Sequence, residues 1–127
     1  MGELLDNARN FLEEHGYRVT TKAEGIREAT AEGKWNFVFT EDVGGLLLRS
    51  SIPTTDGVAD LKLYDLINDL HEESVVVRFY LDDDRDLALE AWWPPAFEAD
   101  AFEVFLRAWN HDISLVARHP ALEELLE

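Results

Sequence analysis

Cysteine is absent from the chain, which excludes disulfides, thiolate zinc sites and cysteine nucleophiles at once. Long apolar runs are missing as well. No stretch could span a bilayer, and the opening Met1-Gly2-Glu3-Leu4-Leu5-Asp6 lacks the basic flank and continuous apolar run of a signal peptide. A cytoplasmic protein is the expectation. Positive charge is scarce: 11 Lys and Arg stand against 27 Asp and Glu, a formal net charge of −16. Such a chain repels phosphate backbones and anionic head groups, so neither nucleic acid nor a membrane is an expected partner. The acidity serves solubility before anything more specific.

What is present is apolar material in quantity. Hydrophobic residues make up 46% of the 127, with seven Phe, four Trp and three Tyr, too much for a disordered chain. The length suits one core, so a single domain over residues 1–127 is expected, folding without metal or cofactor. Leu4, Leu5, Ala8, Phe11 and Leu12 have helical spacing, and Gly16 stands where a helix would be capped. Tyr17, Val19 and Thr21 then alternate with polar residues, and a second extended piece covers Ile26 to Thr30; the two form either one bent strand or two. Trp35, Phe37 and Phe39 alternate in the next strand, and a turn through Gly44-Gly45 leads to a strand from Leu46 to Ile52. After Pro53, Leu63, Leu66, Ile67 and Leu70 mark a second helix ending near Glu72. Val75, Val77, Phe79 and Leu81 read as one strand, and Leu87, Leu89, Ala91 and Trp93 as its hairpin partner. Pro94-Pro95 stops the sheet before a third helix carrying Phe102, Phe105, Leu106, Trp109, Ile113 and Val116. Residues 121–126 add a further turn or fray.

The order is α-β-β-β-α-β-β-α. Strands supplied by hairpins, without βαβ alternation, predict an α+β fold with a mostly antiparallel sheet and helices on one side. This order, with Phe79-Tyr80-Leu81-Asp82-Asp83-Asp84-Arg85-Asp86-Leu87-Ala88-Leu89-Glu90-Ala91, resembles the YbjN-like family of proposed bacterial sensory transduction regulators. Leu66-Ile67-Asn68-Asp69-Leu70, and Gly45-Leu46-Leu47-Leu48-Arg49 followed by Pro53, also look like the family pattern, so the resemblance covers most of the chain. That family is similar in fold to the type III secretion chaperones. The resemblance implies a helix-flanked antiparallel sheet, frequent homodimers and binding of extended protein segments, with no catalytic motif to carry over. Arg85 departs from the pattern, since the family's hairpin turn has Gly after its acidic residues, and a different turn geometry is one consequence.

The chemical motifs are incomplete. Asp82, Asp84 and Asp86 begin like a calcium loop, but Leu87 stands where the loop needs Gly and Trp93 where it needs a bidentate Glu. A charged hairpin turn is the better reading. His71-Glu72-Glu73 lacks the second histidine of a metalloprotease helix, because Val75 occupies that place, and Pro120 breaks any helical register between His111 and His119. No serine sits in a nucleophile elbow, and Gly44-Gly45 is not a phosphate-binding loop. No catalytic, cofactor or metal residue is nominated.

The sheet's other face is more informative. Side chains alternate, so Trp92 and Trp93 cannot both point inward. With Trp93 in the core, Trp92 lies on the open face with Val38, Leu47, Val76 and Tyr80, among Arg49, Arg78 and Glu90. These five form the candidate protein interface, for a homodimer or a client; alternatively a loop or the C-terminal segment covers Trp92. Three functions stay open: a non-enzymatic binding module, a structural subunit whose dimer is its end point, and a small hydrolase or transferase using carboxylates or His111 and His119.

Overall fold

A computed structural model describes residues 3–126. Leu5, Ala8, Phe11 and Leu12 are the buried stripe of α1 (Glu3–Glu14). The helix stops at Gly16, whose φ of +90° lets Tyr17 N–H reach back to the Leu12 carbonyl at 2.9 Å. The chain then forms β1 (Arg18–Ala23), β2 (Ile26–Thr30), β3 (Phe37–Asp42) and β4 (Gly45–Ile52). The first extended region is therefore two strands, joined through Gly25 at φ +76°. Next come α2 (Asp60–Glu73), β5 (Arg78–Leu81), β6 (Leu87–Trp93), α3 (Ala99–Arg118) and the short α4 (Leu122–Leu125).

The six strands form one sheet in the order β1-β2-β3-β4-β6-β5, antiparallel throughout. Val19, Phe37, Phe39, Leu46, Leu48, Phe79, Leu87 and Leu89 point from it into a single core with α1, α2 and α3. Aromatic edges join the layers: Phe37 meets Trp109 at 5.5 Å and Trp93 meets Phe102 at 5.5 Å between ring centres. Trp109, Phe39, Phe79 and Phe102 are fully buried, each contributing about 2–3 kcal/mol by leaving water. The C-terminal segment does not fray. Thr55 N–H donates to the Leu125 carbonyl at 2.9 Å, Leu126 bridges Thr54, and both leucines are buried.

The strand expected from Val75 to Leu81 is shorter in the structure, beginning only at Arg78. Its lost portion is held by Asp112, a fully buried carboxylate in the middle of α3. Asp112 accepts the backbone N–H groups of Val75 at 2.9 Å, Val76 at 2.7 Å and Val77 at 2.9 Å. Two residues on, Phe79 N–H donates to His71 Nε2 of α2 at 2.9 Å. β5 is an edge strand, and His71 occupies a donor on its free side while Asp112 holds the amides of the segment leading into it.

The turn between β5 and β6 keeps a left-handed residue where a glycine would be comfortable. Arg85 has φ +61°. Its guanidinium donates to the Val58 carbonyl at 3.0 Å and pairs with Asp60, contacts that offset the conformational cost.

Candidate functional site

Helices cover one face of the sheet, and the other carries the candidate site. Cross-strand pairing sets its rows. Arg49 opposes Glu90 and Glu90 opposes Arg78, giving a charged row over β4, β6 and β5, with the apolar Val38 opposite Arg49 at its β3 end. The neighbouring row is apolar, with Leu47 opposite Trp92. One strand register thus places a greasy strip beside an ion-pair strip.

Trp92 is 45% exposed, so the open-face orientation holds and no described residue buries it. Its indole is nevertheless fixed. Nε1 donates to the Asp42 carbonyl at 2.8 Å, and the ring lies over Gly45, where a Cβ would run into both the Trp92 ring and the Trp93 carbonyl. Gly45 is thus required by close approach. Leu47, Val76 and Trp92 line an open hollow of about 510 Å³ together with Asp42, Val43 and Ala91, rimmed by Arg78 and Glu90.

The other two expected interface residues sit apart. Val38 lines a neighbouring depression with Lys22, Glu28 and Arg49, at the β3 end of the charged row and apart from the hollow. Tyr80 is half-buried, donates its hydroxyl to Glu90 at 2.8 Å and lies under the Arg78 guanidinium, 5.2 Å from the ring centre.

Glu90 is the hub of the charged row. It is buried yet ion-paired with Arg78 and, at 3.5 Å, with Arg49. Burial alone would raise its carboxyl, but hydrogen bonds from Arg78 and Tyr80 and the charges of Arg78 and Arg49 outweigh it and hold the group below its ordinary value of 4.5. The Tyr80 hydroxyl moves upward, through burial first and then its bond to the Glu90 carboxylate. The network fixes side chains on a face with no helix over it.

Val43 was not among the nominated residues. It occupies the β3–β4 hairpin tip with φ +51°, followed by Gly44 at +76°, the arrangement of a type I′ turn. A β-branched residue there costs about 1–2 kcal/mol, and Val43 is 86% exposed, so its side chain returns nothing to the core. No sequence rule places valine in such a turn.

Pro120 does not separate the two histidines considered for chemistry, because it lies beyond both: α3 runs unbroken from His111 to Arg118 and His119 caps it, and each is held in local bonding. His111 Nδ1 lies 2.9 Å from Asp112, while His119 contacts Asp69 at 3.1 Å and accepts the Ala121 N–H at 3.0 Å. Asp82, Asp84 and Asp86 do converge, with carboxylate atoms within 4.8 Å of one another. Asp82 Oδ1 is engaged by the backbone N–H groups of Asp84 at 2.9 Å and Asp86 at 3.0 Å, the bonding of a tight turn. Among the described residues no helix is long and apolar enough to cross a membrane.

Comparison of the sequence with family models gives no match, and comparison with curated proteins gives none. Solved structures do match. YbjN from E. coli, proposed as a transcription regulator, superimposes with a TM-score of 0.77 at 19% identity, over 97% of this chain and 95% of its own. A chain from the heterodimeric ExoU–SpcU complex of the Pseudomonas aeruginosa type III secretion system gives a TM-score of 0.62 at 15% identity, over 84% of this chain and 91% of its own. At these identities the likeness concerns fold, and the fold is the YbjN-like, type III secretion chaperone-like one.

Proposed function

We propose that this chain is a non-enzymatic protein-binding module, a regulator or chaperone-like adaptor of the cytoplasm, which forms a homodimer through its open sheet face and holds a client protein. The observation that carries the reading is Trp92: half-exposed, pinned by its N–H to Asp42, and set over an apolar hollow with Leu47 and Val76. A rigid aromatic loses little entropy on burial, and the exposed part of Trp92, on the order of 100 Å², joins Leu47 and Val76 towards the roughly 800 Å² per partner of a standard interface. Support also comes from the fold, since one similar structure belongs to a complex with another protein. Tyr80 and Val38 contribute at the margins of the same face.

The test is solution mass by light scattering over a concentration series, for the wild type and Trp92→Ser. The expected result is a wild-type dimer and a folded monomeric variant. A variant that remains dimeric at every concentration would remove the open face from the interface.

A further inference from the structure

Resting on that reading, we infer that Val43 is the knob of the dimer contact: the hairpin tip of one copy enters the Leu47–Val76–Trp92 hollow of the second. Three observations lead there. Val43 holds a left-handed backbone that valine disfavours, at φ +51°, and its side chain is 86% exposed. Within the isolated chain this residue has cost and no return. Knob and hollow also lie on one face, since Val43 itself lines the hollow's edge. A two-fold axis through such a patch sets each knob against the other copy's hollow, the self-complementarity an isologous interface requires.

Charge names the occupant as a second copy. The charged residues lining the two depressions of this face are Lys22, Arg49 and Arg78 against Glu28, Asp42 and Glu90, a balance of zero on a chain of net charge −16. Another copy, equally acidic, meets least repulsion at this surface. A strongly basic partner would be drawn to other parts of the molecule.

The experiment is sedimentation equilibrium of the wild type, Val43→Gly, Val43→Asn and Trp92→Ser, with thermal melts of Trp92→Ser and the Val43→Gly/Trp92→Ser double variant. Glycine and asparagine both accept the left-handed turn, so both variants fold. Losing one buried valine costs about tenfold in affinity, and the symmetric pair about a hundredfold in dimer dissociation constant. In the Trp92→Ser background, Val43→Gly is expected to melt higher, because strain is relieved with no dimer to lose. If Trp92→Ser is monomeric while both Val43 variants dimerise with wild-type affinity, the open face stands and the knob is wrong. If Trp92→Ser leaves the dimer intact, or the wild type is itself a monomer, the underlying reading fails and the knob with it.

Discussion

Glu90 and Trp92 occupy the same face of the same strand, and they do opposite things there. Glu90 is closed in by Arg49, Arg78 and Tyr80, whereas Trp92 keeps nearly half its surface in water. Because the folded carboxyl of Glu90 titrates below its ordinary 4.5, its contribution is complete above that value and is lost as pH falls through the lower folded one. Glu90→Gln should therefore cost about 2 kcal/mol near neutrality, with the gap from wild type closing in acid. Urea unfolding of both proteins at several pH values checks this, and a gap that widens in acid would refute it. The inward and outward assignments of Trp93 and Trp92 were legible from alternation alone. Val43 was not, because turn rules describe what a position prefers, and here the residue opposes the preference.

Among the elements, α3 was read from its stripe of Phe102, Phe105, Leu106, Trp109, Ile113 and Val116, all of them buried. Asp112 belongs to that stripe, three residues after Trp109 and four before Val116, and the spacing was the available signal for its burial. A polar residue at a buried helical position must find partners, and these lie in the residues just before β5. That explains why the apolar alternation from Val75 overstated the strand: periodicity records which side chains can be buried, not where the backbone amides go. Asp112→Ala should lower stability by about 3 kcal/mol, since the donors of Val75 to Val77 lose their acceptor together. The measurement is the urea midpoint at constant slope, with amide exchange at residues 75–79. Loss of protection confined to that segment would show the carboxylate tying α3 to the sheet edge, whereas an unchanged midpoint would show solvent replacing it at no cost.

At the scale of the molecule, a charge of −16 opposes every self-association. A homodimer held by an apolar hollow on a charge-balanced face should tighten as salt screens the remaining surface. Between about 0.05 and 0.5 M NaCl the dimer dissociation constant is expected to fall severalfold, as the screening length drops from roughly 14 to 4 Å. A constant that rises with salt would instead assign the contact to ion pairs such as those of Arg49 and Arg78. The overall architecture was legible because each helix and most strands carry a clean period bounded by Gly, Pro or acidic turns. Side-to-side order was less so, since pairing β4 with β6 joins strands separated by both α2 and β5 and rests on the whole core. The sheet that results has two unlike borders: β1 lies open, while His71 and Asp112 hold the amides alongside β5. Polymerisation by strand-to-strand stacking needs two reactive ends on every unit. A strand arriving at the β5 border has to displace His71 from the Phe79 amide first, so extension of the sheet is disfavoured at that end and two copies stack there less readily than at β1.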